Sequence, residues 1–264
     1  MKLAFIGGGV MGEAIISGIL NNGLAQPQDV AACDILPQRR DHLSTTYGIK
    51  AVDKPAPALE GADIAVLAVK PQEFSTAARS LSLSSGQTVM SIMAGVTIAT
   101  IRDALKHDAI VRAIPNTPAQ VGEGMTVWTA TDAVPDAARE QVRSILAVLG
   151  QELYVDDEKY VDMATAVSSS GPAYIFLVME ALIDGAVHIG LRRDTAQRMV
   201  IQTILGSAKY AQATGKHPAD LRNQVTSPAG TTSEGLLVLE KAGLRRAFIQ
   251  AVQAAYEKAK RLGG

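Results

Sequence analysis

Up to about residue 156, short apolar runs alternate with helical patterns, and beyond that point the alternation stops. The apolar runs lie at 2–6, 30–34, 64–69, 88–92, 110–114 and 126–129. Helical stretches at 10–21, 37–47, 72–82, 98–105 and 135–149 separate most of them. Such alternation predicts a mostly parallel sheet, because parallel strands need crossover helices to connect them. The runs are apolar at nearly every position rather than at alternate ones, as strands covered on both faces are. From residue 157 onward only helical stretches follow, at 158–167, 172–189, 195–213, 218–225, 232–241 and 244–261. Turn chemistry such as Ile189-Gly190-Leu191 and Thr214-Gly215-Lys216-His217-Pro218 separates them. The expected architecture is a doubly wound parallel α/β sheet over residues 1–156, followed by an all-α domain over 157–264.

Composition narrows the function classes. With 25 basic and 26 acidic residues there is no charge surplus to attract nucleic acid or an anionic membrane, so neither is expected as a partner. The one cysteine, Cys33, excludes an internal disulfide and agrees with a reducing, cytoplasmic setting. It lies in an apolar run, where a buried thiol behaves as a small hydrophobe. The longest uninterrupted apolar run, 173–179, is closed by Glu180 and falls short of the ~20 residues of a membrane helix. His42, His107, His188 and His217 show no metal-ligand spacing, and no metal is expected. The stretch 172–189 is apolar around most of its circumference, and such helices are buried in a large core or against another subunit. A small helical domain offers little interior, so dimerisation through it is expected; a central place in its own bundle is the alternative.

The first strand runs into Gly7-Gly8-Gly9-Val10-Met11-Gly12, which then opens a helix. G-x-G-x-x-G in this strand–turn–helix setting is the Rossmann dinucleotide fingerprint. Its glycines allow a tight turn, close approach of a pyrophosphate, and close packing of helix on sheet. The helix N-terminus supplies N–H groups to the phosphates. Asp34 closes the second strand, 22 residues after Gly12, near the ~20-residue spacing of the ribose-reading acid. A carboxylate there favours NAD, whereas Arg39 and Arg40 are suited to the extra phosphate of NADP. Asp34 also reads as a helix cap or turn residue, so the residues leave the choice between NADP (NADPH) and NAD open.

Several segments together resemble pyrroline-5-carboxylate reductase over almost the whole chain. They are Phe5-Ile6-Gly7-Gly8-Gly9-Val10-Met11-Gly12, Ala68-Val69-Lys70-Pro71, Ala94-Gly95-Val96-Thr97 and Arg112-Ala113-Ile114-Pro115-Asn116-Thr117-Pro118. Ser170-Gly171-Pro172-Ala173-Tyr174 and Ser227-Pro228-Ala229-Gly230-Thr231-Thr232 complete the set. The resemblance implies a Rossmann domain, a dimerising helical domain, and NAD(P)H-dependent reduction of the C=N bond of 1-pyrroline-5-carboxylate to L-proline, the last step of proline biosynthesis.

On this basis the cofactor site is expected to comprise Ile6, Gly7, Gly8, Gly9, Val10, Met11, Gly12, Asp34, Ala68, Val69, Lys70, Pro71, Ala94, Gly95 and Asn116. Lys70 reads equally as a solvated strand-end residue, and Asn116 also as a structural turn. The substrate carboxylate is expected at the helix start around Gly230, Thr231 and Thr232. Thr232 is the implied catalytic hydroxyl, with a helix cap as its alternative role. Glu158 matches a substrate-holding position of relatives and reads otherwise as a helix-start acid.

The chain departs from the family pattern at Val10 (commonly Asn), Ser169 (usually Gly) and Ala229 (usually Gly). Of these Ala229 bears most on loop geometry, because a β-carbon forbids conformations that glycine tolerates. A β-hydroxyacid dehydrogenase is a rival reading, but it requires a catalytic lysine that 172–189 lacks. A non-catalytic NAD(P)-sensing protein is the other, and it has no need of a carboxylate loop.

Overall fold

The computed structural model describes residues 1–263. Eight strands form one sheet: β1 (Leu3–Ile6), β2 (Val30–Cys33), β3 (Lys50–Val52), β4 (Ile64–Leu67), β5 (Thr88–Ser91), β6 (Ile110–Ile114), β7 (Gly124–Ala130) and β8 (Gly150–Tyr154). Their spatial order is β3-β2-β1-β4-β5-β6-β7-β8. All neighbours run parallel except β6 and β7, which pair antiparallel. Only residues 115–123 connect those two, too few for the helical crossover that a parallel pair needs.

Burial explains the unbroken apolar strands. Leu3 and Phe5 of β1 enter one core with Ile15, Ile19, Trp128 and Leu146. Ala4 and Ile6 point the other way, into a second core with Leu67, Phe74 and Ile101. Both faces of the sheet are therefore covered. Cys33 is buried, and burial followed by the nearby charges of Asp34 and Asp53 pushes its thiol pKa up.

Two strands have no counterpart among the expected runs. β3 has three residues with Lys50 exposed, and β8 alternates half-buried with exposed positions through Gln151 and Glu152. Both are edge strands, which carry less apolar signal than central ones. The expected helix at 72–82 is a 3₁₀ turn (Pro71–Glu73) followed by a short helix (Phe74–Ala78). That at 158–167 is a helix (Lys159–Ala164) continuing into a π-helical turn (Thr165–Ser169).

One compact unit comprises Met1–Pro172 together with the end of the last helix from Ala254. It extends past the sheet because Val161 of helix Lys159–Ala164 is buried against Ile114 and Val127. The second unit, Ala173–Gln253, is entirely helical. Ala196 is its one buried residue, while Phe176, Leu177, Met199, Leu205, Val238 and Ile249 are exposed. No segment of uninterrupted apolar residues reaches membrane length, yet the continuous helix Lys159–His188 as a whole is long and apolar enough to cross one. Little of it is buried within the chain.

Candidate dinucleotide and substrate sites

The strand order reverses direction beside β1: the chain builds β2 and β3 on one side, then returns to β4 on the other. Ligands of doubly wound sheets bind outside the carboxyl ends of the strands at such a point. Gly7 stands there with φ +101°, and a β-carbon on it would lie 2.6 Å from the backbone oxygen of Ala68 at the end of β4. On Gly12, a β-carbon would meet the Gly7 oxygen at 2.7 Å. The turn's own packing thus requires glycine at both positions. Gly9 is different: the space its missing side chain leaves is open. It precedes helix Val10–Asn21, whose first turn no side chain caps. An uncapped helix start beside an open glycine fits a pyrophosphate, which the N–H groups of that first turn would hold.

The remaining expected cofactor residues are gathered along the same edge. Ile6 ends β1, and the Ala68 N–H donates to its oxygen at 2.8 Å. Val10 is 63% exposed next to the turn, and Met11 is half-buried. Val69 packs on the second core, Lys70 is exposed with no side-chain partner among the described residues, and Pro71 starts the 3₁₀ turn. Ala94 and Gly95, the latter at φ +77°, follow β5. Asn116 follows β6 and is buried; its Nδ2 donates to the Ser168 oxygen at 3.0 Å and its Oδ1 accepts from the Met125 N–H at 2.9 Å. That amide ties the loop to β7 and to the π-helical turn, leaving one N–H for other use.

Asp34 is fixed by two contacts. Its Oδ2 accepts from the Gly8 N–H at 2.8 Å and its Oδ1 from the Leu36 N–H at 2.9 Å. Gly8 is gripped from its other end by Arg39, whose Nε donates to the Gly8 oxygen at 2.9 Å and whose Nη2 reaches the same atom. Arg39 also pairs with Glu13 at 2.6 Å, and Glu13 accepts from Tyr47 at 3.0 Å and lies 2.6 Å from His42 Nε2. Partial burial raises the Glu13 pKa, but hydrogen bonds from Arg39, His42 and Tyr47 outweigh it and bring it down to about 2. Arg40 donates to the backbone oxygens of Asp34 and Ile35.

A second charged group lies beneath the sheet edge. Arg112, in the middle of β6, is 1% exposed and holds Glu158 at 2.7 Å and Asp162 at 2.5 Å. Glu158 Oε1 also accepts from the Ile98 N–H at 2.8 Å, at the start of helix Ile98–Leu105. Glu158 is therefore more than a helix-start acid: it joins two helices to a buried cation. Sequence reasoning overlooked the Glu13 and Arg112 clusters. For Arg112 the signal was present, since a cation inside Ile110-Val111-Arg112-Ala113-Ile114 demands acidic partners. Glu13 gave none beyond lying in the first turn of a helix.

In the helical unit, Gly230 caps helix Thr231–Lys241, so Thr232 is not its cap. Thr231 and Thr232 are exposed, and neither hydroxyl has a partner among the described residues. Ser227 Oγ occupies the side of Gly230 where a β-carbon would stand. Ala229 adopts φ +56°, the left-handed region that its glycine counterpart would enter freely.

Comparison with known proteins decides the family. Residues 158–262 match the family model described as pyrroline-5-carboxylate reductase dimerisation. Residues 2–95 match one described as NADP oxidoreductase, coenzyme F420-dependent. A pyrroline-5-carboxylate reductase of Synechocystis sp. is 40% identical over 100% of this chain and 98% of its own. The chain belongs to the pyrroline-5-carboxylate reductase family. Among solved structures, a pyrroline-5-carboxylate reductase from Coxiella burnetii superimposes with a TM-score of 0.89 at 36% identity, covering 100% of this chain and 98% of its own. A pyrroline carboxylate reductase from Plasmodium falciparum, solved with NADP bound, gives 0.92 at 30% identity with the same coverage. A pyrroline-5-carboxylate reductase is an NAD(P)H-dependent oxidoreductase, and the dimerisation match spans the helices whose apolar faces this chain leaves exposed.

Proposed function

We propose that this chain reduces 1-pyrroline-5-carboxylate to L-proline, taking hydride from NADPH or NADH, as a cytoplasmic enzyme assembled into dimers or larger rings. The observation that carries the reading is the glycine turn, open at Gly9 beside an uncapped helix start; in the helical unit the hydroxyls of Thr231 and Thr232, which follow the cap Gly230, have no partner among the described residues. The reduced nicotinamide supplies the hydride when bound. The chain's own groups do the rest. The first-turn N–H groups after Gly9 bind the pyrophosphate. Ile6, Gly7, Gly8 and Ala68 to Pro71 form the wall of the crevice, Ala94 and Gly95 continue it, and Asp34 faces the adenosine ribose. Asn116 uses its remaining N–H to orient the nicotinamide.

In the helical unit, the N–H groups of Thr231 and Thr232 receive the substrate carboxylate, as helix starts receive anions. The Thr232 hydroxyl hydrogen-bonds the ring nitrogen and handles its proton. Glu158 helps to hold the substrate through its second oxygen, Oε2, while Oε1 stays on Arg112 and Ile98.

The rival β-hydroxyacid dehydrogenase chemistry lacks its lysine, since none occurs in helix Gly171–His188. The deciding assay follows cofactor absorbance with pyrroline-5-carboxylate, using NADPH and NADH side by side. Loss of absorbance with proline formed is expected. Cofactor binding without turnover on either would instead favour a sensor.

A further inference from the structure

Four charged side chains cluster beside the glycine turn and the end of β2, where doubly wound sheets read the adenosine ribose. Asp34 closes β2 with its carboxylate fixed between the N–H groups of Gly8 and Leu36. Arg39 and Arg40 follow in the first turn of helix Pro37–Tyr47. The fourth is Glu13, in the first turn of the helix that opens at the glycine turn.

An arginine beside the second strand accommodates a 2′-phosphate, whereas an acid at its end receives a bare ribose. Here the cations are not equivalent. Arg40 uses Nη1 on two backbone oxygens and has no acidic side chain in ion-pair range among the described residues. Arg39 pairs with Glu13 at 2.6 Å. His42 Nε2 and the Tyr47 hydroxyl approach the other Glu13 oxygen and fix the carboxylate against Arg39. Two arginines and two carboxylates leave no surplus positive charge for a phosphate, although the donors are present.

We propose that Glu13 sets the balance between the two nicotinamide dinucleotides by spending the charge of Arg39 that a 2′-phosphate would otherwise recruit. Glu13 is a positioning residue: it acts through Arg39 and does not itself touch the cofactor. Its carboxylate keeps NADH competitive with NADPH at a site that also carries the cations for NADP. The inference rests on the cofactor reading given above.

A guanidinium no longer spent on Glu13 attracts a doubly charged phosphate across roughly 10 Å, at an effective dielectric of about 40, by enough to change relative binding on the order of tenfold. Calorimetric titration of the full chain with NADP⁺ and with NAD⁺ reads this directly. For Glu13→Gln the ratio of affinities is expected to move toward NADP⁺ by about tenfold, with NAD⁺ affinity nearly unchanged. Arg39→Met should move the ratio the other way, and adding Glu13→Gln to it should produce no further gain for NADP⁺. An unaltered ratio in Glu13→Gln, or equal weakening of both dinucleotides, overturns the proposal, because a merely structural Glu13 would affect both alike. A wild-type protein that binds neither dinucleotide overturns the cofactor reading itself.

Discussion

Arg112 Nη1 lies 2.7 Å from Glu158 Oε1, and the arginine that makes this contact is 1% exposed in the centre of a strand. Removing one partner of a buried pair leaves the other charge uncompensated, which costs more than the pair itself contributes. Arg112→Met leaves Glu158 and Asp162 facing each other without a cation. Destabilisation of about 3–5 kcal/mol is expected in urea unfolding. A loss below ~1 kcal/mol would show that water already compensates the two acids.

Thr232→Ala should separate chemistry from folding. Its hydroxyl has no partner among the described residues and Gly230 provides the cap, so thermal stability should hold. Turnover should fall roughly ten- to a thousandfold, the scale of losing a positioned proton donor or a hydrogen bond at the reacting centre. Unchanged kinetics would remove Thr232 from the mechanism.

Ala229 sits at φ +56°. Glycine there relieves steric strain and gives back part of that gain as unfolded-chain entropy. Ala229→Gly is expected to stabilise by about 0.5–1 kcal/mol, seen as a higher midpoint in thermal unfolding. A lower midpoint would mean that the loop gains more from a restricted chain than it loses in strain.

Acid should undo the Glu13 cluster. The folded-state pKa of about 2 lies below the ordinary 4.5, so the stabilisation is full above 4.5 and is lost as pH falls toward 2. Its size at neutral pH is on the order of 3 kcal/mol. Unfolding free energies between pH 5 and about 2 should therefore decline less steeply in Glu13→Gln than in the wild type. Parallel curves would dismiss the cluster as a stabilising element.

Thr126 Oγ1 is buried in β7 without a partner among the described residues. Replacing an unsatisfied hydroxyl by a methyl of similar shape removes a desolvation cost. Thr126→Val should raise stability by about 1 kcal/mol. If denaturant unfolding shows the substitution to be destabilising, the hydroxyl is held by water.

The parts of the fold written in strong patterns were legible in the sequence. β1, β2, β4, β5 and β6 announce themselves because both faces are covered and nearly every residue is apolar, Thr88, Ser91 and Arg112 excepted. β3 and β8 stayed hidden because edge strands alternate and carry polar residues. In the candidate site, the glycine turn was readable from its spacing within one strand–turn–helix unit, although the backbone that demands Gly7, that of Ala68 after β4, is distant in sequence. The ties of Glu13 to Arg39 and of Arg112 to Glu158 span 26 and 46 positions, and no local pattern encodes such partnerships. The open space at Gly9 depends on what is absent around it, which only three-dimensional structure reveals.

In the helical stretch from Ala173 to Gln253, Ala196 alone is fully buried, and the apolar residues around it are at best half-buried. A newly synthesised copy of it has little of its own to collapse upon, so its maturation is expected to be completed by a second copy. Resistance to heat and protease should accordingly climb with the amount of protein in the tube, as mass action dictates when subunits complete one another. Dilution, rather than any denaturant, is the gentlest way to take this molecule apart.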